Sequence, residues 1–332
     1  MKKTLFGIFL VVMGLVSCNK NTYDVLIVGG GASGTMAGLQ AARMGSKVMI
    51  AEETVWIGGM LTSAGVSAID GNYRLRGGLF GEFTDALAEH YGGYEALKTA
   101  WVSNIMFEPS VGEAIFEQKV AAEKNITLCK EWRFESAQKT KKGWTVIFST
   151  PEGKKSIDTR ILIDGTELGD VAKACGIKYH IGFDPKSYTG EKMAFEDARN
   201  IVQDLTMVMT LKDYGPGADM TIEKPEGYDI NNYVNCCINP LNTYFEKDQR
   251  QWSPEMMLSY GQLQNGKIMI NWPTEGNDFY ANVIEMNREQ RDSVIAQAKL
   301  RTLGFLYFIQ TELGYKNLGL ADDEYPTEDK LA

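Results

Sequence analysis

The sequence predicts an α/β fold centred on a parallel sheet, with a smaller α+β part after it. Three observations lead there. The stretch "DVLIVGGGASGTMAGLQAARMGSKVMIAEE", Asp24 to Glu53, holds a strand, a glycine-rich turn, a helix, a second strand and an acidic end, within about thirty residues, as one βαβ unit requires. A later apolar strand breaks at an Asp-Gly-Thr turn in "RILIDGTELGDVAKACG", Arg160 to Gly176. Beyond about Ile181 the alternation of strand and helix is lost.

The N-terminal residues stand outside that fold. "MKKTLFGIFLVVMGLVSC" joins Lys2 and Lys3 to an apolar run from Leu5 to Val16. The run is too short to span a bilayer as a mature helix and has the form of a secretory signal. It ends in Leu15-Val16-Ser17-Cys18, which resembles a bacterial lipobox, with Cys18 as the lipidated residue. The expectation is therefore removal of residues 1–17, a lipidated N-terminus and linker over 18–22, and a chain exported and anchored by lipid to the bacterial cell envelope, facing periplasm or cell surface. The charge balance, 34 Lys and Arg against 43 Asp and Glu, argues against a nucleic-acid partner and against electrostatic docking on anionic lipid. With 332 residues, 44% of them hydrophobic, the chain is long enough for two domains.

In the glycine unit, residues 24–28 are one acidic residue and four apolar ones, which suits a strand buried on both faces. Gly29 allows the tight turn, Gly31 lets backbone approach a pyrophosphate, and Gly34 lets the helix pack on the strand. The helix N-terminus at Ala32, Ser33 and Gly34 then offers N–H groups to the phosphates. Glu52 ends the second strand, about twenty residues on, where an acid accepts from ribose hydroxyls and repels a 2′-phosphate. This is a Rossmann-like dinucleotide site, and by itself it does not separate FAD from NAD.

The intervening chain supplies the elements such a sheet needs. "GLFGEFTDALAEHYGG" has Leu79, Phe80, Phe83 and Leu87 at helical spacing and a double-glycine stop. A second helix is predicted from about Gly112 to Lys124, then a third parallel strand at "ITLC". "WRFESAQK" and "WTVIFST", separated by Lys-Lys-Gly, read as a β-meander. From about Met286 a long helix carries Val294, Ala298, Phe305, Phe308 and Ile309.

Chemistry-bearing side chains are sparse. After Cys18 the cysteines are Cys129, Cys175, Cys236 and Cys237, without Cys-x-x-Cys spacing for zinc or an iron–sulfur cluster. Core thiols are the plainer reading; export permits a disulfide that spacing cannot assign. His90 falls at a helix end, where a dipole partner or surface residue is the plainer reading. His180 follows the Asp-Gly-Thr segment and faces a substrate cleft if it is catalytic, a structural role being the plainer reading. Asp278, in the loop after the strand "KIMIN", is a second candidate base, with a solvated loop residue the plainer reading. Arg74 and Arg76 have the chemistry to orient a carboxylate, with solvated surface charge the plainer reading.

Two stretches carry a family resemblance. "WIGGMLTS", Trp56 to Ser63, resembles the loop that runs beside the flavin in the two-dinucleotide-binding flavoprotein superfamily, matching at Gly58, Gly59, Met60, Thr62 and Ser63. The Asp164-Gly165-Thr166 turn, with Glu167, Gly169 and Asp170 behind it, resembles that superfamily's distal Asp-Ala-Thr motif, with glycine where alanine is usual. From Tyr23 to the end the chain resembles the FAD-dependent oxidoreductase family that includes the flavin subunits of heterodisulfide reductases, and more closely its secreted bacterial lipoprotein branch. "INWPTEGNDFY" and "LGLADDEYPTEDKLA" extend the match.

The resemblance implies an FAD-binding domain over 23–180 and a substrate or cap domain over 181–282. It also implies a helical segment, 283–332, that returns toward the first. It further implies hydride transfer between flavin and a small-molecule substrate, and cofactor contacts from Gly29, Gly31, Ala32, Ser33, Gly34, Glu52, Gly58, Gly59, Met60, Thr62, Ser63, Gly165, Thr166, Glu167 and Asp170. Relatives continue beyond this chain's end with a portion that completes the flavin pocket. The alternatives are an NAD-binding dehydrogenase and a catalytically incomplete lipoprotein that keeps the fold.

Overall fold

The computed structural model describes residues 22–243 and 252–332; Cys18 and the signal segment lie outside them. The first strand, β1 (Thr22–Val28), runs into α1 (Ala32–Arg43) and then β2 (Val48–Ala51). Helix α1 closes where Gly45, at φ +90°, donates its N–H to Ala42 O and Ser46 donates to Ala41 O, a left-handed stop that glycine adopts without a Cβ clash. Next come α2 (Gly78–Tyr91), α3 (Pro109–Ala122) and β3 (Ile126–Cys129). Helix α3 begins three residues ahead of the predicted Gly112, because Pro109 sits in its first turn, where a missing N–H costs nothing.

The meander follows as β4 (Arg133–Thr140), β5 (Gly143–Thr150) and β6 (Gly153–Asp164). One six-stranded sheet has the order β3-β2-β1-β6-β5-β4. Its centre is parallel: β1 lies between β2 and β6, and β2 beside β3. β3, β2, β1 and β6 thus stand side by side. β6 is long because it serves two partners: its first half pairs antiparallel with β5 and its second half pairs parallel with β1. The meander and the parallel sheet are therefore one continuous surface. Burial explains the centre, since Leu26, Ile27, Val48 and Ile50 are fully enclosed, with Leu39, Phe83 and Phe116 packed on one face and Met49, Val146 and Phe148 on the other.

After α4 (Asp170–Ala174) and the short α5 (Lys186–Thr189), the chain builds a second core. β7 (Leu205–Thr206), β8 (Met209–Asp213), α6 (Pro254–Leu258), β9 (Lys267–Ile270), β10 (Asp278–Phe279), α7 (Arg288–Thr311) and β11 (Leu318–Leu320) complete the chain. β7 pairs with β10, and β8 lies between β11 and β9. Helix α7 starts with a capping box, in which Asn287 Oδ1 accepts from Gln290 N and Gln290 Oε1 accepts from Asn287 N. It buries Phe305, Phe308 and Ile309 against Met209, Leu211, Ile270 and Trp272. Cys236 and Cys237 belong to this core as free thiols, their sulfurs 3.6 Å apart.

The C-terminal run after β11 is polar in composition but partly buried. Tyr325 and Leu331 are buried, and Ala321 N–H donates to Thr210 O at 2.9 Å. The run is packed against the second sheet.

Candidate functional site

The parallel strands β1, β2 and β6 end at one place, and three glycine segments meet there. Gly29, at φ +93°, turns the chain directly after β1, and its N–H donates to Ala51 O at 2.8 Å. A Cβ at Gly29 would overlap the Gly165 carbonyl, and one at Gly34 would overlap Gly29 O. Both positions require glycine for packing alone. Gly31 is different: a Cβ there would meet a carboxylate oxygen of Glu167 at 2.9 Å, with the next nearest atom at 3.8 Å. Helix α1 starts on Gly31 with no side-chain cap and no acid in its first turn. Its positive end at Ala32, Ser33 and Gly34 therefore suits an anion.

Glu52 stands behind this turn. Its buried carboxylate accepts from Gly30 N at 2.6 Å through Oε2 and from Thr54 N at 2.8 Å through Oε1. Two oxygens offer about four acceptor positions, so capacity remains for ribose hydroxyls beside the two main-chain bonds.

The second glycine pair lies on the first. Gly58 N–H donates to Gly30 O at 2.8 Å, and Gly31 and Gly58 form a parallel bridge. Gly58 and Gly59 have φ of +103° and +55°. A Cβ on Gly59 would stand 2.6 Å from Glu167 Oε1 and 2.8 Å from Gly31 Cα. The neighbours divide their work. Thr62 is buried, its hydroxyl donating to Ile57 O at 2.6 Å, and Ser63 Oγ donates to Gly59 O at 3.3 Å, so these two hold the loop's shape. Met60 is exposed on the open side.

The distal turn closes the site from β6. Gly165 N–H donates to Val28 O at 2.7 Å, and a Cβ there would fall 2.6 Å from Gly29 O. The usual alanine would need the turn to shift, which accounts for glycine in this chain. Asp164 accepts from Thr166 N and Oγ1 through one oxygen and from Ala172 N through the other. Thr166 Oγ1 in turn accepts from Asp170 N at 2.9 Å. Asp170 is taken by a fork from Arg291, at 2.7 and 2.9 Å. Glu167 leans over the junction of Gly31 and Gly59. Partial desolvation first, and the Glu52 charge second, hold its pKa above the ordinary value.

Of the two candidate bases, His180 comes nearer to this turn. It lines a cavity of about 250 Å³ together with Leu168, Ala172, Ile177, Tyr179 and Ile284. Its Nδ1 lies 2.5 Å from Asp184 Oδ1, and the ring lies beside Tyr188. Asp278 is on the two-stranded sheet, where it accepts from the Thr206 hydroxyl, and burial raises its pKa. Arg76 lies over the Tyr94 ring, 3.4 Å from its centroid, and Arg74 is near Tyr73.

Three features gave no sequence signal. Tyr325 packs against Trp56 at a tilt of 38°, with ring centroids 5.5 Å apart, and its hydroxyl would lie 2.5 Å from a Cβ on Gly65. Arg291 reaches the distal turn from α7. Lys267, Glu108 and Glu324 form a buried ionic cluster between the two cores. Each joins residues more than fifty positions apart, and charge or aromatic character alone names no partner.

A parallel sheet with a Gly-x-Gly-x-x-Gly turn, a second glycine loop on that turn and a distal turn from the neighbouring strand defines a dinucleotide-binding flavoprotein-type site. The profile of the FAD dependent oxidoreductase family matches residues 24–329, and the chain belongs to that family. FAD is the cofactor of this family. The bare backbone at Gly31, where a Cβ would meet only the movable Glu167 carboxylate closely, and the uncapped start of α1 fit such a group.

Among solved structures, the chain is similar to a flavoprotein/dehydrogenase from Cytophaga hutchinsonii (16% identity, 58% of this chain and 46% of that one, TM-score 0.37). It is also similar to the anhydrotetracycline hydroxylase of Streptomyces rimosus (16% identity, 62% and 39%, TM-score 0.38). The L-proline dehydrogenase of P. horikoshii matches at 16% identity, over 44% and 22%, with a TM-score of 0.28. The chain spans less than half the length of each of these proteins. Family membership rests on the profile match.

Proposed function

We propose that this chain binds FAD across the three glycine segments and exchanges a hydride between it and a small organic substrate. The observation that carries the reading is the meeting of Gly31, Gly59 and Gly165 at the carboxyl ends of β1, β2 and β6, where ligands of open α/β sheets bind. When bound, FAD supplies a two-electron acceptor or donor. The first turn of α1 would hold the pyrophosphate, Glu52 would take the ribose hydroxyls, and the Gly58-Gly59 loop would border the flavin end. His180, with Nδ1 fixed by Asp184, keeps Nε2 to accept or give the substrate proton.

The test is the absorption spectrum of the purified protein after incubation with FAD and desalting. A retained flavin band supports the reading. Loss of the flavin together with tight NAD binding favours a dehydrogenase, and failure to hold either favours a lipoprotein that keeps the fold without catalysis. Attachment to the envelope through Cys18 belongs to the same proposal and is supported by the leader sequence. Cys18→Ser should move the chain from membrane to soluble fractions, and an unchanged distribution refutes the anchor.

A further inference from the structure

The pyrophosphate seat already faces an anion that belongs to the chain. The Glu167 carboxylate leans over both Gly31 and Gly59, with Oε1 where a Cβ on either would stand 2.9 or 2.6 Å away. Gly31 is also the residue at which the absence of a side chain lets a pyrophosphate come close. The positive end of α1, without an acid or a capping side chain of its own, favours an anion there. One such place cannot serve two anions at low cost, since like charges a few ångströms apart repel even beside solvent.

We propose that Glu167 is an internal competitor for the pyrophosphate seat, so that cofactor binding requires this carboxylate to take up a proton or swing away. This rests on the reading of the glycine segments as the cofactor site. The surroundings favour proton uptake. Glu52 is the acidic neighbour that bears on Glu167 from the β2 side. From the α4 side, the Asp170 charge is matched by the Arg291 fork. The cations near Glu53, Arg133 and Arg288, act on that residue at the rim. Partial desolvation and then the Glu52 charge both raise the Glu167 proton affinity.

The sign follows. Bringing in a pyrophosphate raises the Glu167 pKa further, so the bound form holds more protons than the free form. Affinity then falls as pH rises through the interval between the free and bound values. A side chain placed this way also sets selectivity: it penalises ligands for phosphate charge at Gly31 while leaving the adenosine end untouched.

The test uses FAD and ADP-ribose, whose pyrophosphates are diesters of fixed charge, titrated calorimetrically against the full chain and Glu167→Gln between about pH 5 and pH 8. Two buffers of different ionisation enthalpy report the protons exchanged. Expected are proton uptake on binding to the native chain, affinity that weakens with rising pH, and roughly tenfold tighter, nearly pH-independent binding by Glu167→Gln at neutral pH, as loss of one like-charge contact implies. If the native chain binds and Glu167→Gln binds equally or more weakly with the same pH slope, the competitor role is overturned while the cofactor site stands. Failure of both proteins to bind either ligand, with circular dichroism reporting folded chains, overturns the cofactor site and this inference together. Binding by Glu167→Gln alone supports both.

Discussion

Lys267 Nζ lies 2.6 Å from Glu324 Oε2, with both side chains almost wholly shielded from water. Glu108 Oε1 is the second buried partner at 2.8 Å, and the half-exposed Asp323 adds a third carboxylate at 3.3 Å. Glu108 precedes α3, Lys267 opens β9 and Glu324 follows β11, so the three join both cores and the C-terminal run. Glu324 Oε1 also accepts from Ser110 N, and Glu108 Oε2 from Tyr91 Oη and Asn265 Nδ2. Burial alone would lower the Lys267 pKa, but the hydrogen bonds to Glu108 and Glu324 reverse this and hold it above the ordinary value.

Removing the lysine should therefore strand two buried carboxylates. Lys267→Met is expected to cost about 3–5 kcal/mol in urea unfolding, as breaking one side of a buried ion pair does. Adding Glu108→Gln and Glu324→Gln should recover much of the loss. A single Lys267→Met within about 0.5 kcal/mol of the native chain, the range of an ordinary surface substitution, would show that the cluster contributes nothing.

Gly31 and Gly34 should separate binding from folding. A Cβ at Gly34 collides with Gly29 O and lies 3.2 Å from Ile27 Cγ2, so Gly34→Ala is expected to lose about 1–3 kcal/mol of stability, as overpacking does. Gly31→Val meets mainly the movable Glu167 side chain. It should leave the melting temperature close to native and abolish FAD retention. Equal melting losses in the two variants would refute this division.

The Arg291 fork on Asp170 couples α7 to the distal turn, and Arg291 also donates to Val283 O and Ile284 O. Arg291→Ala should weaken FAD binding by about tenfold through the Asp164-Thr166-Asp170 turn, at a stability cost of about 1.5–3 kcal/mol for a lost charge-assisted fork. Arg291→Lys should recover only part, because an ammonium cannot reproduce the planar fork. Flavin fluorescence titration reads the first effect and chemical unfolding the second.

Asp278 should prove dispensable for stability at neutral pH. Burial comes first among the causes that raise its pKa, against the Thr206 hydroxyl bond, which lowers it. A raised carboxyl favours the folded state at acidic pH, where it is protonated, and that gain is lost as pH rises through the folded value. Asp278→Asn should therefore match or exceed the native melting temperature at pH 7 while flattening the acid side of the profile. A clear loss of melting temperature at pH 7 would show that the ionised carboxylate is needed by the fold.

The sequence by itself determined the parallel-sheet half of this protein. Strand, turn and helix between Asp24 and Glu52 are neighbours in the chain, and their glycines answer local demands of backbone geometry, so spacing is enough to read them. The parallel neighbours β1, β2, β3 and β6 followed from their apolar runs, because a strand buried on both faces leaves a compositional mark. Tertiary structure alone decided what those elements meet. That Gly165 stands where alanine would press on Gly29, that Arg291 claims Asp170, and that Lys267 gathers Glu108 and Glu324 depend on contacts between distant segments. Glu167 shows the difference within one residue: the motif marks it as near the cofactor, while its place over Gly31 and Gly59 is set by how β6 and the second glycine loop pack. A charge in a sequence carries its sign but not its neighbours, and here the neighbours decide whether it supports, competes or only fills space.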